Sequence, residues 1–232
     1  MLESRPGSGD ALGEAAELYR RVLETHPERN DLRIHLGQIY AVMNRDSEAI
    51  AQWEVARAAG DSSRDLAQAL LAAYLRKPET GRDKALALLQ ELLARGGNDD
   101  GNNVEMRLLA GRLQMEKKQY AEAAKQFRQA AALRPDSAEA HTNLASALYL
   151  LKDYDGTVAA LANVTRLGRD TAGTHFLRAI SLDKLHAVEP ALENYQRFLE
   201  LDGGKNPDQE FQARQRVRIL TRELRDGRAK RR

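Results

Sequence analysis

Residues 49–61, Ala49-Ile50-Ala51-Gln52-Trp53-Glu54-Val55-Ala56-Arg57-Ala58-Ala59-Gly60-Asp61, decide the fold. Ala49, Trp53 and Ala56 are spaced four and three apart, one apolar face of a helix, and Gly60-Asp61 ends it. The same gaps recur in Ala15, Tyr19, Val22 and Pro27 and in Ala123, Phe127, Ala130 and Pro135. Ala15 and Ala49 lie 34 residues apart. A second half-motif, Leu36-Gly37 followed by Tyr40, falls between the first two copies. A 34-residue step carrying two helical patterns predicts a repeated helix–turn–helix unit, and such units bury their apolar faces only by stacking.

Together the motifs resemble the tetratricopeptide repeat, in which Leu-Gly-x2-Tyr marks the first helix and Ala-x3-Phe…Pro the second. The resemblance covers residues 11–203, most specifically at 104–137. It implies an all-α, right-handed superhelical solenoid whose first helices line a concave groove. The expected segments are a disordered 1–10, a half repeat at 11–29, and repeats at 30–63, 64–103, 104–137, 138–171 and 172–205. A capping helix at 206–226 and a basic frayed tail at 227–232 complete the division. Repeat 64–103 departs from the pattern, with two extra residues in a turn at Pro78–Asp83 and about four in a connector at Gly96–Asn103. Asn30 or Asp31 is placed to cap the first full repeat, and Asn206-Pro207-Asp208 to open the last helix.

Composition fits this reading. Aromatics are 5% and charged residues 30% of the 232 residues, with much Ala and Leu, as close helix contacts require. The absence of cysteine excludes a disulfide framework, a thiolate metal site and a thiol nucleophile. No run of 18 apolar residues occurs, so no membrane-spanning helix is expected, and the first 30 residues show no signal-peptide pattern. A soluble chain is expected, in cytoplasm or periplasm if it is a fragment. The net charge of +2 is unevenly spread: residues 205–232 hold ten Lys or Arg against four Asp or Glu.

The resemblance assigns candidate partner-binding residues. The family's groove-facing positions map onto Ile34, Gln38, Leu75, Arg76, Leu108, Arg112, Met115, Thr142, Asn143, Ser146, Tyr149, Phe176, Ile180 and Lys184. Apolar groups beside charges suit an extended peptide or a partner helix. A subgroup of the family grips chaperone C-termini with a carboxylate clamp. Here only Asn143 occupies a clamp position, while Leu108, Arg112, Gly173 and Leu177 stand at the others, which disfavours that ligand. Arg214, Arg218, Arg222 and Arg225 form a basic patch on the last helix. A nucleic-acid contact through it is the alternative reading, disfavoured because no aromatics alternate with the charges and a solvated outer face is commoner.

Other motifs read as structural. His141 and His175 occupy equivalent places in adjacent repeats, where packing is expected and no metal site is assigned. Residues 98–103, Asn-Asp-Asp-Gly-Asn-Asn, lack the acids of a calcium loop at either end. The sequon Asn163-Val164-Thr165 falls inside a helical pattern. No nucleophile, base and acid come together and no phosphate loop is present. The sequence therefore describes a noncatalytic interaction scaffold without a cofactor. Its lone first helix leaves an apolar edge of Leu18, Tyr19 and Leu23, expected either to continue into a longer repeat array or to self-associate through the N-terminal half repeat. A regulatory domain cut from a larger protein is a further alternative.

Overall fold

The computed structural model describes residues 8–95 and 100–229, which form twelve helices and no strand. They gather into two compact units, Met1–Arg95 and Gly96–Arg232. The division falls within repeat 64–103, where the sequence departs from the pattern.

The first unit contains α1 (Ser8–Thr25), α2 (Asn30–Val42), α3 (Asp46–Ala58), α4 (Arg64–Arg76) and α5 (Pro78–Arg95). Helices α2 and α3 form one pair and α4 and α5 another, with α1 packed on α2 and α3 on α4. The second unit contains α6 (Asp100–Glu116), α7 (Tyr120–Leu133), α8 (Ala138–Leu150), α9 (Tyr154–Arg166), α10 (Ala172–Lys184), α11 (Val188–Asp202) and α12 (Pro207–Ala229). Each packs on the next, and α8 also touches both α6 and α10. The first helices of successive pairs therefore line one face of this unit.

The recurrent spacing sets the core. Ala49, Trp53 and Ala56, then Ala85 and Leu89, Ala123, Phe127 and Ala130, Leu161 and Val164, and Ala191, Tyr195 and Phe198 are all buried. Burying one such large side chain stabilises the fold by about 1.5–3 kcal/mol. The glycines of the first helices admit these rings. A Cβ on Gly37 would lie 2.2 Å from Trp53 Nε1, and one on Gly111 2.5 Å from Phe127 Cε1. Trp53 Nε1 then donates to the Ile34 carbonyl at 3.1 Å.

Four first helices stop in the same way. Asn44, Lys118, Lys152 and His186 adopt φ of 57–63°. The following amide donates five residues back in each case, as from Arg45 to the Tyr40 carbonyl at 2.8 Å and from Ala187 to the Leu182 carbonyl at 2.9 Å. This left-handed closure satisfies carbonyls that the helix end would otherwise leave open. Each turn then delivers the chain directly into the second helix.

Several local expectations are corrected. Helix α1 begins at Ser8, so residues 8–10 belong to it rather than to a disordered segment; residues 1–7 lie outside the described ones. No side chain caps α2: Asn30 and Asp31 are already helical, and Asp31 instead pairs with Arg29 at 2.6 Å. The expected turn at Pro78–Asp83 is the first part of α5, because Pro fits a first helical turn and Gly81 lets it pass the Tyr74 carbonyl, only 2.1 Å from where a Cβ would sit. The expected connector at 96–103 is helical from Asp100 onward, and 96–99 lie outside the described residues. Asn206 directly precedes α12, where its carbonyl accepts from the Glu210 amide, and it donates from its amide and side chain to Asp202. Helix α12 extends to Ala229, past the expected start of a frayed tail; residues 230–232 lie outside the described ones. Tyr19 is half-buried, unlike its counterparts, and stacks over His35 with ring centroids 6.2 Å apart.

Candidate partner-binding site

A concavity of the second unit lies where α8, α10, α11 and α12 meet. It encloses about 600 Å³ and is lined by Tyr149, Ile180, Asp183, Lys184, His186, Val188, Tyr195, Gln212, Arg216, Leu220 and Glu223. The last turn of α8 supplies Tyr149, whose ring leans on Tyr154 at 5.8 Å between centroids. The last turns of α10 supply Ile180, Asp183 and Lys184, which share one side of that helix by their three- and four-residue spacing. The left-handed turn at His186 folds the chain back to Val188.

One polar cluster holds this arrangement. Arg216 donates from Nε and Nη2 to the two carboxylate oxygens of Asp183, both at 2.6 Å. Tyr195 donates its hydroxyl to Asp183 Oδ2 at 3.1 Å. Burial, then the Asp183 charge and this hydrogen bond, push the Tyr195 hydroxyl above its usual pKa, so it remains a donor. The hydrogen bond to Asp183 raises Arg216, fixing its positive charge. Burial likewise pushes the Tyr149 hydroxyl up. The concavity combines apolar surface from Ile180, Val188 and the Tyr149 ring with exposed Lys184 and His186 at its rim. Such a site can accept an apolar side chain and fix a charged neighbour.

Of the residues mapped from the sequence, Tyr149, Ile180 and Lys184 meet in this concavity. Arg112 reaches from α6 to Glu139 of α8 at 2.6 Å. Thr142, Asn143 and Ser146 lie half-buried on α8, with Ser146 donating to the Thr142 carbonyl. Met115 packs partly against the core. Leu108 and Phe176 are 1% and 8% exposed, so they are core residues with little surface for a ligand. In the first unit, Gln38 and Leu75 are exposed and Ile34 is half-buried. Arg76 is engaged with Asp46 at 2.6 Å.

Sequence reasoning missed the contribution of α12. Gly111, Ala145, Ala179 and Ala213 follow one another at 34-residue steps, and all four are buried. That register marks α12 as the first helix of a further pair, which brings Gln212, Arg216, Leu220 and Glu223 to the first-helix face. The step to Ala213 was the available signal. On its outer side Arg214, Arg218, Arg222 and Arg225 are exposed. Arg214 pairs with Glu210 at 3.1 Å, and Arg222 and Arg225 both approach Asp226 at 3.7 Å.

The histidines make local bonds. His141 Nε2 lies 3.1 Å from the Pro135 carbonyl, and His175 Nδ1 3.0 Å from Asn194 Oδ1. Among the described residues no three His, Asp or Glu side chains converge as a metal site. Nor is any helix of the described residues long and apolar enough to cross a membrane.

Comparison with known proteins agrees with this architecture. Residues 8–64 match a family model described as tetratricopeptide repeat, and residues 111–152 match one described as TPR repeat. No curated protein sequence matches the chain. Among solved structures, YrrB, described as a TPR protein with an unusual peptide-binding site, is 17% identical with a TM-score of 0.61. The match covers 80% of this chain and 92% of that one. A structure of MamA is 22% identical with a TM-score of 0.59, over 75% of this chain and 99% of that one. The C-terminal part of a TPR repeat-containing protein from Cytophaga hutchinsonii is 16% identical with a TM-score of 0.65, over 94% and 86%. The 34-residue step, the buried ring-against-glycine pairs and these matches identify tetratricopeptide repeats in this chain.

Proposed function

We propose that this protein is a noncatalytic interaction module that takes an extended peptide segment of a partner protein on the first-helix face of its second unit. The observation that carries this reading is the 600 Å³ concavity in which Tyr149, Ile180 and Lys184 meet α12. Its size suits one or two side chains of a bound segment. The accessible parts of Ile180, Val188 and the Tyr149 ring supply apolar contact, and Lys184 at the rim sets register through charge. The peptide-binding site in the description of YrrB is consistent with such use of this fold. The arginines on the outer side of α12 point away from this concavity and enter the proposal only as solvated surface.

A random peptide library displayed on phage and panned against the full chain tests the reading. Enriched peptides should lose about tenfold or more in affinity, some 1.4 kcal/mol, against Tyr149→Ala and against Lys184→Glu, with melting temperatures close to wild type. Peptides that bind both variants as tightly as the parent would place the site elsewhere.

A further inference from the structure

Among the described residues, the first unit ends on an uncovered apolar groove. Ala15, Leu18, Tyr19 and Val22 of α1 with Leu32 of α2 line about 270 Å³, and no polar atom of theirs is exposed in it. Leu18 is 62% exposed and Val22 42%, whereas Ala16 and Leu23, on the side turned to α2, are buried. A contiguous apolar stripe of this kind marks an interaction surface.

The sequence of α1 says what covers it. Ala11, Ala15, Leu18 and Val22 are spaced four, three and four apart, the spacing of a two-helix seam. Glu14 and Arg21 lie seven apart, so they flank that seam on the same side, one toward each end of the helix. In an antiparallel helix pair, residues on the same flank face each other, end to opposite end. A second copy of α1, related by a twofold axis near Leu18, therefore sets Glu14 of each copy against Arg21 of the other. The apolar stripes meet along the same line. A parallel pair would instead bring Glu14 toward the tyrosine side of the seam and leave Arg21 without an acid. The order of charge along α1 is thus complementary to itself in one orientation only. Glu14 makes no ion pair among the described residues and is exposed. Arg21 has only a long 3.4 Å contact to Glu17. Both charges are available to a partner.

We infer that this face is an interface between two copies of the chain, joined by antiparallel pairing of their α1 helices. The contact is isologous and closes at two, because each copy presents the same patch. One helix per copy gives a seam well below the size of an obligate interface, so the dimer is a reversible one that forms as concentration rises. The inference is independent of the peptide-binding proposal, which concerns the other unit.

Sedimentation equilibrium of the full chain, from low micromolar to submillimolar concentration, should show monomer passing to dimer. Leu18→Glu should weaken association by about tenfold or more, with an unchanged melting temperature because Leu18 is mostly exposed. Glu14→Arg should also weaken it, and the double variant Glu14→Arg, Arg21→Glu should restore it. The chain has no cysteine, so Leu18→Cys adds a selective probe. Mild oxidation should yield a disulfide-linked dimer much faster than the control Phe211→Cys on exposed α12. A monomer throughout the range, or equal cross-linking by the two cysteine variants, overturns the inference. Dimerisation that appears only after residues 1–7 are removed also overturns it, by making the protein's own N-terminal segment the occupant.

Discussion

Arg216 of α12 and Asp183 of α10 form a two-pronged ion pair, with Nε and Nη2 each 2.6 Å from a carboxylate oxygen. The pair ties the last helix to the first-helix face of the preceding repeat and shapes one wall of the concavity. Arg216→Ala is expected to leave Asp183 with only the Tyr195 hydroxyl as partner. The cost should be about 1–2 kcal/mol, reduced from that of a buried pair because the Arg216 side chain is 32% exposed. Hydrogen exchange should accelerate along α12 and little in α6 and α7. Unchanged protection of α12 would show that apolar packing through Ala213 and Leu220 holds it alone.

Phe127 is 1% exposed and sits against Gly111 at the centre of the second unit. Phe127→Ala should cost about 3–5 kcal/mol through lost burial and the cavity left behind. Denaturant unfolding measures it; a cost below about 1 kcal/mol would contradict the core assigned to this repeat.

Gly37 tests the close approach from the other side. A methyl group there would overlap the Trp53 indole, so Gly37→Ala should destabilise the first unit by about 1–3 kcal/mol. Trp53 is the single tryptophan of the chain. Its emission should shift to longer wavelength as the ring is displaced from its hydrogen bond to Ile34, a change absent from Gly13→Ala in α1.

Asp46 provides a pH-dependent contribution. The Arg76 hydrogen bonds, with the Arg76 charge behind them, hold its carboxyl below the ordinary carboxylate value. Because the folded value is depressed, the stabilisation is fully present above the unfolded pKa of about 4. It is lost as pH falls through the folded value. The stability difference between wild type and Arg76→Ala should be constant near neutrality and shrink below about pH 4. Urea unfolding at neutral and at acidic pH would reveal it, and a difference equally large in acid would remove Asp46 from the account.

The repeat was legible because its determinants are local. Ala49, Trp53 and Ala56 share a helix face by spacing alone, and Gly37 and Gly111 stand at the same place in their motifs as the rings they admit. Periodicity therefore set the helices, their pairing and most of the core before any coordinates. Boundaries were less legible at the start of α5, where Pro78 suits either a turn or a first helical turn, and at the far end of α12, which runs on to Ala229.

The candidate site divides along the same line. The amino-acid sequence by itself placed Tyr149, Ile180 and Lys184 on first helices of successive repeats, with Tyr149 one 34-residue step before Asp183. It could not show that Leu108 and Phe176 turn into the core, because neighbouring first-helix positions differ by a fraction of a turn and packing of adjacent helices settles which is covered. Nor could it show that Arg216, one of eight arginines in the last 19 residues, is the one that reaches Asp183. Charges distant in sequence choose partners only after helices are stacked, and that choice belonged to the tertiary structure.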